Sequence, residues 1–201
     1  MTWIKTIDYE KAKGRLKKIY DRVKGADNRI DNILMAHSLR PHSLEGHLAL
    51  YKNVLHHNSN QSEKWFLETV GVYVSLLNQC DYCVQHHYCG LKRLLDDEEN
   101  AEKIFQALEN RKPELVFDQK QSALLHYAGK LTLDAASLQE TDISDLHKSG
   151  CEDGEILEIN QVAAYFNYAN RTILGLGVTT KGDILGLSPN NDDDDHDWSH
   201  R

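Results

Sequence analysis

The chain has 201 residues, 23 of them basic and 31 acidic, for a formal charge of −8. Five of the acids (Asp192 to Asp195 and Asp197) lie in one terminal run, and without them 23 basic residues face 26 acidic ones, leaving −3. A body so mildly acidic has no basic stripe to follow a phosphate backbone, which excludes nucleic acid as a partner.

Helical periodicity recurs along the chain, and alternation of the strand type is scarce. An amphipathic helix is expected over about Tyr9–Val23, with Leu16, Ile19, Tyr20 and Val23 on one stripe. A second is expected over about Leu44–Leu55, after Pro41. A third follows over about Glu63–Leu77, with Ser62 as its N-cap. Trp65, Phe66, Thr69, Val70, Tyr73, Leu76 and Leu77 make that helix apolar round much of its girth, so it is expected at the centre. Asn78-Gln79 marks a break, after which a fourth helix runs from Cys80 to Leu95. The remaining helices are expected near Asp97–Leu108, Gln119–Leu131, Asp142–Lys148 and Asp153–Leu174, the last closed by Leu174-Gly-Leu-Gly acting as a C-cap.

These elements predict an all-α protein: a single helical domain over residues 1–187, with its motif region at about 44–110, and a solvated acidic tail over 188–201. No apolar run reaches the ~20 residues of a membrane span. The N-terminus lacks the apolar core of a signal peptide. A cytoplasmic protein that does not engage membranes is expected. The apolar girth of the third helix, together with Ile156–Leu174, predicts a homo-oligomer.

The chemistry is concentrated in one segment, Glu68–His87, ETVGVYVSLLNQCDYCVQHH. Cys80, Cys83 and His87 fall at i, i+3 and i+7, on one helical face. Thiols at that spacing can form a disulfide. The histidine can move a proton at the nearer sulfur, and an upstream glutamate can accept or relay it. If Cys80 begins the helix, the free N–H groups there favour a thiolate. Ionisation alone is a weak device. Lowering a thiol pKa from ~8.5 to ~6.5 raises the thiolate fraction about 25-fold at pH 7, and the loss of nucleophilicity removes roughly 8-fold. A positioned proton-transfer group adds ~10²–10⁴, which is the physical reason for Glu68 and His87 beside the thiols. Glu68 sits among Trp65, Phe66, Leu67 and Val70, so a partly buried carboxylate paired with His87 is expected. Cys151 and Cys89 read as small core residues. His86 lies about 100° off the cysteine face. His86, His37, His42, His47, His56 and His57 are given no role. One helix cannot wrap a tetrahedral ion with Cys80, Cys83, His87 and Cys89, and no second ligand pair exists, so neither metal nor cofactor is expected.

The pattern Glu68-x11-Cys80-x2-Cys83-x3-His87 resembles the active-site signature of the alkylhydroperoxidase D-like family, within the carboxymuconolactone decarboxylase superfamily. Its flanks, LMAHSLRPHSLEGHLALYKNVLH and SGCEDGEILEINQVAAYFNYANRTILGLG, look like the peroxidase-related branch, so the resemblance spans roughly residues 30–178. It implies an all-helical oligomer that reduces hydroperoxides through a reversible disulfide. Cys83 would attack the peroxide and become a sulfenic acid, Cys80 would resolve it, and His87 with Glu68 would relay the proton. A thiol or dithiol would then reduce the disulfide. Some members carry a histidine where this chain has Tyr82, so that part of their relay is absent or altered here. Two other functions fit the same cysteine pair: a disulfide oxidoreductase acting on a protein or a lipoyl-type dithiol, and a non-enzymatic redox-sensing oligomer.

Overall fold

The computed structural model describes residues 2–25 and 28–187. Among these there are nine α-helices and no strand. They are α1 (Gly14–Val23), α2 (Asn32–Ala36), α3 (Pro41–Tyr51), α4 (Lys64–Leu77), α5 (Asp81–Leu95), α6 (Glu98–Glu109), α7 (Gln119–Leu133), α8 (Glu140–Lys148) and α9 (Asp153–Leu176). No helix among them is long and apolar enough to cross a membrane. The expected acidic tail lies outside the described residues.

α4 is the axis of the domain. Eleven of its fourteen residues are buried, and α5, α7 and α9 pack around it. Its apolar girth is therefore covered within one chain, and is not by itself a reason to assemble. The main core joins Leu67, Val70 and Val74 of α4 to Leu125 of α7 and Ile159 and Phe166 of α9. A second cluster holds Leu16, Ile19 and Tyr20 of α1 against Leu44 and Leu48 of α3. Apolar side chains left exposed include Leu133 of α7 and Leu157, Tyr168 and Leu174 of α9.

Several boundaries differ from expectation, for local reasons. The Tyr9–Val23 stretch is a single 3-10 turn (Tyr9–Lys11) and then α1, with extended backbone between them at Ala12 and Lys13. Gly14 takes a φ of +56°, open to a residue without Cβ. Ser62 does not cap α4. Its N–H donates to Glu158 at 2.9 Å, and Glu63 is the N-cap residue. α8 begins at Glu140, because Gln139 and Asp142 form a reciprocal capping box. α2 is a five-residue helix that periodicity could not register. α3 continues into a π-turn over Lys52–His56, which swings His56 inward. The C-cap expected near Leu174 is present at Gly177, with φ +61°.

Candidate functional site

The turn between α4 and α5 sets the position of the cysteines. α4 ends at Leu77 with Asn78 as its C-cap, Gln79 takes a left-handed φ of 56°, and two hydrogen bonds close the turn. Gln79 N–H donates to Leu76 O at 3.0 Å, and Cys80 N–H donates to Ser75 O at 2.9 Å. This is the Schellman arrangement with a glutamine where glycine is usual. It makes Cys80 the N-cap of α5. A buried amide network braces the turn from α9: Asn170 donates to Ser75 Oγ at 3.1 Å, and Asn78 donates to Asn170 Oδ1 at 2.9 Å.

The two sulfurs lie 3.0 Å apart, wider than the ~2.05 Å of a disulfide, and both residues are free thiols. Both are buried, but differently. Cys80 is sealed in the apolar cluster with Ala36, Ile173 and Val178, whereas Cys83 also lines a cavity of about 70 Å³. The pair shares its protons unequally. Cys80 is pulled below the ordinary thiol range, first because the Cys83 thiol donates to its thiolate and also because the Cys83 backbone N–H does. Cys83 is pushed well up, by burial first and then by the neighbouring Cys80, although Asn170 and Ser75 hydrogen-bond to its thiolate and oppose the rise. One proton leaves the pair readily and the second is held. A nucleophile at Cys83 therefore needs a base at the moment of reaction.

The cavity wall also carries such a base. His87 Nδ1 donates to Glu68 Oε2 at 2.7 Å, joining α5 to α4. With the carboxylate accepting, Nδ1 carries a proton, and in a neutral imidazole Nε2 keeps its lone pair. Glu68 is 3% exposed, and His56 from the π-turn stands 4.0 Å from its other oxygen. The His87 ring meets the edge of Phe166 at 4.5 Å between centroids. Phe166 in turn lies over Gly71 of α4, where a Cβ would come within 2.3 Å of its ring. Gly71 thus sets how closely α9 approaches the site.

The remaining wall is built by residues that sequence reasoning left without a catalytic role. Asp31, before α2, and Tyr82 and His86, on α5, line the cavity, as does Leu187. Asp183, in the segment after α9, reaches back over them. It accepts from Asn32 N–H at 3.1 Å and from Tyr82 Oη at 2.7 Å, and it stands 3.5 Å from His86 Nε2. Tyr82 and His86 stack at 4.5 Å. Burial, then the neighbouring Asp183, pushes Asp31 up to about 6. His47, also on the wall, is pulled down to about 3 by burial and is neutral.

The structure pairs Glu68 with His87, puts both on one cavity wall with Cys83, and sets Cys80 behind Cys83. The break at Asn78-Gln79 and the placing of Cys80 at a helix start are both present. His47 and His86, which received no role, line the same cavity, and His56 stands beside Glu68. Their signal was unreadable because it depends on a π-turn, on α2 and on the distant segment after α9. Asn170 and Ser75, which touch Cys83, are ordinary core polar residues in the sequence.

An all-helical domain with a buried cysteine pair on one helix and a glutamate–histidine pair beside it defines an alkylhydroperoxidase D-like fold, and comparison with solved structures gives the same answer. A peroxidase-related protein of Silicibacter sp. TM1040 superposes with a TM-score of 0.77 at 23% identity, over 90% of this chain and 93% of that one. A peroxidase-related protein of Ralstonia eutropha JMP134, described as an alkylhydroperoxidase AhpD core, gives 0.77 at 19% identity over the same shares. The debrominase Bmp8, a variant in complex with 2,3,4-tribromopyrrole, gives 0.65 at 12% identity, over 84% of each chain. Likeness at these identities establishes the fold and leaves the activity to the site. No protein-family profile matches the chain, and no curated protein matches it in sequence.

Proposed function

We propose that this protein is a thiol peroxidase that reduces a hydroperoxide at Cys83 and stores the oxidising equivalents as a Cys80–Cys83 disulfide. The observation that carries the reading is the shared cavity: Cys83 lies on its wall with His87 and Glu68, whereas Cys80 lies behind, 3.0 Å from Cys83. His87, with Glu68 holding its tautomer, takes the Cys83 proton as the sulfur attacks the terminal peroxide oxygen. The S–O bond forms as the O–O bond breaks, leaving a sulfenic acid and an alkoxide or hydroxide. Cys80 then attacks Cys83, the disulfide forms, and the sulfenic hydroxyl leaves as water with the thiol proton. An external thiol or dithiol returns the pair to its reduced form, and the working protein is a homo-oligomer.

Accessibility argues against exchange with a protein disulfide as the primary reaction. Cys80 is 0% and Cys83 is 3% exposed, so a folded partner cannot reach either sulfur in this arrangement, while a small peroxide fits the cavity. The decisive measurement is stopped-flow oxidation of the reduced protein by hydrogen peroxide and by alkyl hydroperoxides. Oxidation within seconds at micromolar peroxide is expected. A protein inert to every peroxide but oxidised by lipoamide or by a protein disulfide would overturn the proposal.

A further inference from the structure

A second acid–histidine pair, separate from Glu68 and His87, stands at the cavity: His86 lines it with Cys83, and Asp183 backs His86. His86 Nε2 is buried, has no hydrogen-bond partner among the described residues, and stands 3.5 Å from the Asp183 carboxylate. Its ring is fixed by stacking on Tyr82. His86 and Cys83 line the same small space. The thiol chemistry above uses neither His86 nor Asp183, yet Asp183 is almost wholly buried and is held by a backbone N–H and a phenol. A buried carboxylate positioned beside an imidazole that lacks a hydrogen-bond partner is an arrangement that keeps a proton available.

We propose that His86 is the general acid of the peroxide reaction, donating a proton to the oxygen that departs when Cys83 is oxidised, and that Asp183 is its positioning residue. This rests on the peroxidase reading. In the step concerned, the Cys83 thiolate pair forms the S–O bond, the O–O pair leaves on RO⁻, and the His86 imidazolium protonates RO⁻ to ROH. Sulfur is oxidised and the peroxide reduced. His87 ends with one proton more and His86 with one fewer, and exchange with solvent restores both.

The neighbouring groups are poorer donors. The Tyr82 hydroxyl proton is committed to Asp183, and burial with Asp183 holds that phenol well above its usual range. Asp31, at about 6, is a carboxylate above neutral pH and adds negative charge on the same side. His47 is neutral. Tyr82, Asp31 and Asp183 are thus titratable neighbours of His86 among the described residues, with Arg29 acting on Asp31 from further off.

The test varies the leaving group. Hydroxide and alkoxides depart poorly without a proton, whereas the acetate leaving from peracetic acid needs none. His86→Gln should slow Cys83 oxidation by hydrogen peroxide and tert-butyl hydroperoxide by about 100-fold at pH 8, a general-acid scale, and should change the peracetic acid rate by less than about threefold. Asp183→Asn, which keeps an acceptor for Tyr82 and Asn32, should show the same selective loss in smaller measure and serves if His86→Gln does not fold. Equal slowing with all three oxidants in whichever variant folds, or no slowing, overturns the assignment while leaving the peroxidase reading intact. A parent protein inert to all three oxidants removes that reading, and the general-acid role with it.

Discussion

Glu68 and His87, nineteen residues apart on different helices, meet at 2.7 Å, with the carboxylate closed to solvent. A buried carboxylate without such a partner would be costly or would neutralise. The pairing meets that cost and aims the other imidazole nitrogen. Glu68→Gln should therefore preserve the fold, since the amide still accepts from Nδ1, and slow Cys83 oxidation by ~10-fold or more through loss of the charge that stabilises the imidazolium. An unchanged rate from pH 5 to 9 would show that Glu68 takes no part in proton transfer.

The two cysteines should behave differently. Cys83→Ser is expected to abolish reaction with peroxide. Cys80→Ser should leave Cys83 oxidisable once, to a sulfenic acid that dimedone traps and that goes no further within the chain. A dimedone adduct on Cys80 in the Cys83→Ser protein would reverse the roles, and the low thiol pKa of Cys80 makes that the informative control.

Gly71 and Gln79 offer opposite stability outcomes. Gly71→Ala drives a methyl into the Phe166 ring, so a loss of about 1–3 kcal/mol is expected from overpacking. Displacement of His87, edge-on to the same ring, should slow thiol oxidation as well. Gln79→Gly relieves a left-handed residue and should raise stability by roughly 0.5–1 kcal/mol. Denaturant unfolding of both variants checks the pair. A Gly71→Ala protein as stable as the parent would mean that α9 is free to withdraw.

Two titratable groups of the cavity wall give stability opposite dependences on pH. His47 must be neutral in the fold, with its pKa down from 6.5 to about 3. Its contribution is complete above pH 6.5 and is lost as pH falls towards 3, ~5 kcal/mol at most. Asp31 is up from 3.8 to about 6, so the fold prefers its protonated form, and stability falls as pH rises from 4 to 6, by ~3 kcal/mol at most. Asp31→Asn should raise the melting temperature at pH 8 by several degrees and do little at pH 4. His47→Gln should flatten the acid limb. A melting temperature of Asp31→Asn that differs from the parent's equally at pH 4 and pH 8 would show that Asp31 is not perturbed.

What the sequence disclosed follows the range of the interactions involved. α4, α5 and α9 were legible because an apolar stripe repeats within each, and Cys80, Cys83 and His87 because helical spacing puts them on one face. Glu68 was legible because a carboxylate stood out in an apolar run. α2 was too short to show a period. The split before Gly14 rests on a backbone angle. His86 was set aside because it lies about 100° off the cysteine face. Its partner, Asp183, comes from the other end of the chain. The premise for assembly drawn from the girth of α4 failed for a related reason, since the single chain supplies α5, α7 and α9 to cover it.

The hydrogen bond from Asn32 N–H to Asp183 ties together residues separated by 151 positions, and it joins, beside Tyr82 and His86, pieces of chain made early and late in translation. While the ribosome is still adding α9, the cysteines, His87 and Glu68 have already emerged, but the segment after α9 has not. A nascent chain at that stage therefore carries its cysteines without the segment that anchors Tyr82 and His86. That anchorage is complete only when the segment after Gly177 has been synthesised and has settled onto α2.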